Sequence, residues 1–132
     1  MLNLDTHILV ALLKGELSDK ERSLILSAQL AISDIVLWEL AKLVQVGRLA
    51  LDLDNSDFRR CLSALTVIPI SWEIARMSTE LDFSSDPADE IIAATSLVEN
   101  IPLLTRDRRI LKSRIVPFPL PNHRRHWKGR QA

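Results

Sequence analysis

Apolar residues in this chain fall into short runs separated by segments with helical spacing, and that rhythm predicts most of its elements. Met1-Leu2-Asn3-Leu4 is a short apolar run, and Asp5-Thr6 marks a buried strand turning into a helix over His7 to Leu13, stopped by Lys14-Gly15. Ser18 and Glu21, three residues apart, have the form of a capping box and predict a helix from 19 to 29. Ala31-Ile32 is a strand candidate, Ser33 an N-cap, and Ile35, Val36, Leu40, Leu43 and Val46 recur at helical spacing up to a Gly47 stop. Asp54 or Asn55 can cap a helix running to Ala64; Thr66 to Ile70 reads as a strand, and Ser71 can cap a helix through Leu81. Asp86-Pro87 opens a helix to Glu99, with proline at a position where its missing N–H is no loss. Ile101 to Thr105 then reads as a strand ending at Asp107, and Ile115-Val116 as a last short strand.

Short apolar strands alternating with helices predict an α/β domain, a central parallel sheet flanked by helices on both faces. No repeat or low-complexity segment interrupts it. The run Pro117-Phe118-Pro119-Leu120-Pro121 marks the exit from the folded body, giving a domain over 1–117 and a basic C-terminal tail over 118–132. With three glycines in the chain there is no phosphate-cradling loop, which disfavours a P-loop or dinucleotide fold.

A length of 132 residues suits one domain with a real core. No apolar run approaches the ~18 residues of a membrane span, and the first residues lack the basic start and cleavage site of a signal peptide. Cys61 is the single cysteine, so an intramolecular disulfide and a cysteine zinc site are excluded, and a reducing, cytoplasmic setting is expected. The net charge of zero conceals an asymmetry. Residues 1–107 hold all 17 acids and nine of the 17 bases, whereas residues 108–132 hold eight bases and no acid. An acidic body with a basic tail suits either self-neutralisation or a polyanion held beside an acidic site.

The candidate chemistry lies in the acids. Asp86, Asp89 and Glu90 crowd one side of a helix's first turn, where like charges repel unless a cation sits among them. Asp5 and Asp107 each follow a strand, at the end of a parallel sheet where ligands bind. Glu39 interrupts an apolar stripe and must face outward or find a partner. Singly, each acid has a plain structural use: Asp5 as a helix cap, Glu39 paired with Lys42, Asp107 in an exposed turn, Asp86 as an N-cap. Together, Asp5, Glu39, Asp89 and Asp107 fit the hard oxygen donors that Mg²⁺ or Mn²⁺ prefers in phosphoryl chemistry. No Ser-His-Asp or Cys-His set competes with them.

Leu4-Asp5-Thr6-His7, Ser33 with Trp38-Glu39-Leu40-Ala41-Lys42, Gly47-Arg48-Leu49, Asp86-Pro87-Ala88-Asp89 with Ile92-Ala93-Ala94, and Leu104-Thr105-Arg106-Asp107 occur in that order. This pattern, over residues 1 to 117, resembles the PIN-domain ribonucleases, above all the VapC-type toxins of toxin–antitoxin pairs. The resemblance implies a PIN fold, Mg²⁺- or Mn²⁺-dependent endoribonuclease activity leaving a 5′-phosphate and a 3′-hydroxyl, a cognate antitoxin protein and a homodimer. Carried over by motif, Asp5, Glu39, Asp89 and Asp107 are the catalytic and metal-binding acids, with Asp86 as an accessory acid and Thr105 as a polar neighbour. Two positions depart from the family pattern. Glu90 stands where arginine is common, adding negative charge beside the site, and Asn100-Ile101-Pro102 stands where a glycine commonly precedes the strand.

In the tail, Arg124, Arg125 and Lys128 attract phosphates and Trp127 can stack on an unpaired base, so these four are the RNA-binding candidates. Trp38 and Trp72 read as core or interface residues. Two other readings remain open from sequence: a PIN-like module that binds RNA or protein without cutting, and a metal phosphoesterase acting on DNA.

Overall fold

The computed structural model describes residues 1–119. Arg124, Arg125, Trp127 and Lys128, the tail residues expected to bind RNA, lie outside the described residues. In chain order the elements are β1 (Leu2–Leu4), α1 (Thr6–Lys14), α2 (Asp19–Leu26), β2 (Leu30–Ser33), α3 (Asp34–Gln45), α4 (Ser56–Ser63), β3 (Thr66–Ile68), α5 (Trp72–Met77), α6 (Pro87–Glu99), β4 (Leu103–Leu104) and α7 (Arg108–Leu111).

All strand pairings are parallel, and the sheet order is β3-β2-β1-β4. From β1 the chain steps outward twice, to β2 and β3, then returns across the sheet to place β4 on the other side of β1. With the right-handed crossovers that parallel strands take, the two directions of travel send the first two connections to one face and the last, with α6, to the second. Asn3 marks the second face. Its Nδ2 donates to the Ile92 carbonyl at 3.2 Å and to Ser96 Oγ at 2.9 Å, tying β1 to the middle of α6. Leu2 and Leu4 point the opposite way and are buried, so β1 is covered on both faces.

Local capping follows the sequence closely. Ser18 and Glu21 complete the capping box, Ser33 Oγ accepts from Ile35 N, and Ser71 Oγ accepts from Ile74 N. Of the two candidates before α4, Asn55 is the cap, its Oδ1 accepting from Asp57 N and Phe58 N. The core gathers Leu4, Ile8, Leu9, Ile32, Val36, Leu40, Ile92 and Leu103, all essentially inaccessible to water. Each such side chain contributes roughly 1.5–3 kcal/mol by leaving water. Among the described residues no helix is long and apolar enough to cross a membrane.

Three expectations need correction. The helices expected to run to 29 and 81 stop at Leu26 and Met77, where Ser27 bonds back to the Leu24 carbonyl and Ser78 and Thr79 bond back to the Ala75 and Arg76 carbonyls. Hydroxyls that take carbonyls one turn back compete with continued helix. Ile115-Val116 is not a strand, because Ser113 Oγ accepts both of their N–H groups. The Pro117 carbonyl does reach the sheet edge, accepting from Leu103 N at 2.9 Å. Of the two uses expected for Trp38 and Trp72, core or interface, the core is excluded: they are 55% and 75% exposed.

Candidate active site

Because the chain leaves β1 in one direction and returns on its other side, the carboxyl ends of β1 and β4 form the switch point of the sheet, where ligands bind in such folds. Asp5 directly follows β1 and Thr105 directly follows β4, and Asp5 N donates to the Leu104 carbonyl at 3.1 Å. Asp5 is almost wholly buried, at 2% exposure. One carboxylate oxygen caps α1 by accepting from Thr6 N at 2.8 Å, and the other accepts the Thr105 hydroxyl at 2.5 Å. Thr105 Oγ1 in turn accepts from Asp107 N at 3.0 Å. Asp107 caps α7, a helix not expected from sequence, through Oδ1 alone. The plain capping roles of Asp5 and Asp107 are therefore real, and each still presents its charge to the same end of the sheet.

Two helix starts complete the cluster. Glu39, in the second turn of α3, is half-buried and accepts the Thr6 hydroxyl through Oε1. It does not pair with Lys42, whose Nζ goes to Gln45 Oε1 at 3.0 Å. At the start of α6, Asp89 Oδ2 accepts from Ser85 Oγ at 2.8 Å. Asp86 has the backbone conformation of an N-cap but makes no side-chain cap bond, and its carboxylate lines the cleft instead. Glu90 is turned to the preceding loop, where Oε2 accepts from Ser85 N. Asn100, in place of the common glycine, ends α6 in the left-handed region at φ 55°, a conformation asparagine tolerates better than other non-glycine residues.

Electrostatics bind the acids into one unit. Burial pushes the pKa of Asp5, Glu39 and Asp89 upward, and their mutual repulsion adds to it: Asp89 and Asp5 act on Glu39, Asp5, Asp107 and Asp86 on Asp89, and Asp107 on Asp5. Hydrogen bonds from Thr105, Thr6 and Ser85 offset part of this. Arg106, between Thr105 and Asp107, supplies no relief. It points away, giving Glu21 a bidentate pair at 2.7 and 2.8 Å and bonding the Glu16 carbonyl at 3.1 Å.

A cleft of about 410 Å³ opens over Glu39, Asp86 and Asp89, floored by Thr6 and walled by His7, Trp38, Lys42, Leu43, Val46 and Arg48. Sequence reading missed Thr6 and Ser85, the hydroxyls that orient Glu39 and Asp89. Ser85 lies four residues before Asp89, a local signal; nothing in sequence links Thr6 to a residue 33 positions on.

Among the described residues no group of three or more His, Cys, Asp or Glu side chains stands close enough together to hold a metal ion, and of the acids Glu39, Asp86 and Asp89 line the cleft. The donor set nevertheless fits a hard divalent cation. It consists of carboxylate oxygens alone, and among the described residues Glu39 Oε2, Asp89 Oδ1, Asp107 Oδ2 and both Asp86 oxygens take no hydrogen bond. Mg²⁺ keeps several waters and needs few protein ligands.

Residues 3–115 match the PIN domain family, and the chain belongs to it. This is a family of nucleases, so the acid-ringed cleft is where its chemistry is to be sought. No curated protein matches the sequence. Solved structures that resemble it include a toxin–antitoxin complex from Klebsiella pneumoniae, 24% identical with a TM-score of 0.70, covering 90% of this chain and 97% of that one. VapBC2 from Rickettsia felis, bound to a DNA fragment from its promoter, is 21% identical with a TM-score of 0.68, covering 90% and 98%. FitAcB from Neisseria gonorrhoeae is 21% identical with a TM-score of 0.66, covering 93% and 99%.

Proposed function

We propose that this chain is a metal-dependent endoribonuclease and the toxin of a toxin–antitoxin pair, acting in the cytoplasm as a homodimer held in check by a cognate antitoxin. The observation that carries the reading is that Glu39 and Asp89 line one cleft with Asp86, that Asp5 and Asp107 lie close enough to act on them electrostatically, and that among the described residues none of these acids is in an ion pair. The toxin assignment is supported by resemblance to chains in toxin–antitoxin complexes.

Asp5, Asp89, Asp107 and Glu39, with Asp86 beside them, would hold Mg²⁺ or Mn²⁺. Such an ion supplies an activated water and offsets the charge that develops on a phosphodiester under attack. The protein's own part is orientation. Thr105 and Thr6 N fix both oxygens of Asp5, the Thr6 hydroxyl fixes Glu39, and Ser85 fixes Asp89. Among the described residues Glu39 Oε2 and Asp89 Oδ1 take no hydrogen bond, which leaves each free to hold the ion or to act as a base toward the attacking water. In the body beyond the cleft, residues 1–117 form the catalytic domain and the 118–132 tail, with Arg124, Arg125, Trp127 and Lys128, adds RNA affinity.

The test is cleavage of a mixed panel of structured RNAs with Mg²⁺ or Mn²⁺, beside a chelator control, the Asp89→Asn variant and a matched DNA panel. Metal-dependent cutting of RNA, lost with chelator and in Asp89→Asn, is expected. Preferential cutting of DNA would redirect the substrate, and RNA binding with no cutting by a metal-loaded protein would favour a non-cleaving binding module.

A further inference from the structure

Trp38 has no structural reason to be where it is. It lies on α3 directly before Glu39, in a helix whose neighbouring apolar residues Val36 and Leu40 are fully buried, yet it is 55% exposed. Leaving that much indole in water gives up the stabilisation that burial would bring, so the position is either tolerated or used. Its surroundings favour use. The ring walls the cleft that holds Glu39, Asp86 and Asp89, alongside Lys42, Leu43, Val46 and Arg48. Lys42, one turn along α3, sets its ammonium 5.8 Å from the ring centroid and braces it with a hydrogen bond to Gln45. Among the described residues neither Lys42 nor Arg48 is committed to an ion pair.

We infer that Trp38 is a stacking platform for one unpaired RNA base, with Lys42 and Arg48 receiving the phosphates that flank it. The inference rests on the ribonuclease reading and names its substrate class: single-stranded RNA, recognised at this cleft through a base's face. The lining of the cleft is complementary to the two parts of such a ligand: its acids need a phosphodiester delivered to them but repel it, while Lys42 and Arg48 supply cations for the neighbouring phosphates and Trp38 an aromatic face for the base. At about 410 Å³ the cleft falls within the ~300–1,000 Å³ of small-ligand sites, room for one nucleotide. Stacking on an indole tolerates any base, so Trp38 selects for an unpaired nucleotide, and sequence preference arises elsewhere.

The test measures binding apart from cutting. Full-length protein carrying Asp5→Asn, which leaves RNA intact, is titrated into a fluorescein-labelled single-stranded RNA decamer of mixed sequence and into the same decamer as a duplex. Adding Trp38→Ala is expected to weaken single-strand binding roughly tenfold while leaving duplex binding unchanged. Trp38→Phe recovers most of the loss, and Trp72→Ala, which removes an exposed indole outside the cleft, has no effect. Lys42→Ala lowers the salt dependence of single-strand binding by about one counterion. The inference is overturned if Trp38→Ala binds the single strand as its parent does, or if Trp38→Phe binds as weakly as Trp38→Ala. It is equally overturned if Trp38→Ala spares RNA and loses a partner protein, which would make this wall a protein-docking face. Failure of the ribonuclease reading would show separately, as no cutting by the unsubstituted chain despite intact single-strand binding.

Discussion

Glu21 and the acids at the end of the sheet are both partly withdrawn from water, yet their surroundings drive their acidity in opposite directions. Glu21 is held by the Arg106 guanidinium at two points, and its carboxyl is pulled down to about 2. Asp5, Glu39 and Asp89 are pushed up, by burial first and then by one another. The same short segment serves both regions. In an extended stretch successive side chains point to opposite sides, so Thr105 and Asp107 reach the acid cluster while Arg106 turns to α2. A base one residue from the cluster is thus spent on bracing the loop and, among the described residues, none of the acids gains an ion pair, an arrangement that costs stability and leaves room for a bound cation.

That contrast can be broken most sharply at Asp5. Asparagine keeps the oxygen that caps α1 and an amide that can donate to Thr105, so Asp5→Asn is expected to reduce RNA cleavage roughly a thousandfold or more. In metal-free buffer it should melt at or above the parent's temperature, because it removes a buried like charge. A large fall in melting temperature would mean that Asp5 is structural. Leu4→Ala, one residue earlier, should do the reverse: a loss of about 2–5 kcal/mol in chemical denaturation, with activity per folded molecule largely kept.

Metal addition sharpens the comparison further. A divalent cation at a hundred times its dissociation constant should stabilise the parent by about 2.7 kcal/mol, read by thermal melting, and Asp89→Asn should lose most of that gain. An equal gain in both proteins would place the ion elsewhere.

On the other side of the comparison, Glu21→Gln keeps the capping box with Ser18 and removes only the charge paired with Arg106. The expected cost is on the order of 1 kcal/mol at neutral pH, reduced by solvent on the open side of Arg106. Glu21 has a folded value near 2 against an ordinary 4.5, so the unfolded chain binds more protons between those limits. The parent's advantage should therefore be complete above pH 4.5 and shrink steadily as pH falls toward 2. Denaturation of both proteins across that range checks it; a constant difference would show that charge pairing is not its source. The smallest effect is expected at Asn100, where Asn100→Ala should cost about 1 kcal/mol and Asn100→Gly almost nothing.

Much of this molecule is set by neighbours in sequence. The Ser18–Glu21 capping box, the Ser33 and Ser71 caps and the Pro87 start of α6 depend on groups within a turn of one another, and the sequence determines them by itself. The four acids stand out in the sequence as candidates, because carboxylates at strand ends and in an apolar helical stripe are costly unless they serve a purpose. The helix ends at Leu26 and Met77 were misjudged for want of knowing which carbonyl each hydroxyl would take. Tertiary structure alone decided the rest. Thr105 reaches Asp5 across 100 residues, and Thr6 reaches Glu39 across 33, only because β4 returns beside β1 and α3 crosses the start of α1. Whether Arg106 quenches the acids or turns to Glu21, and whether Trp38 is covered or left open, depends on what the folded chain places opposite each side chain. Those contacts form between elements far apart in sequence, where spacing along the chain carries no information.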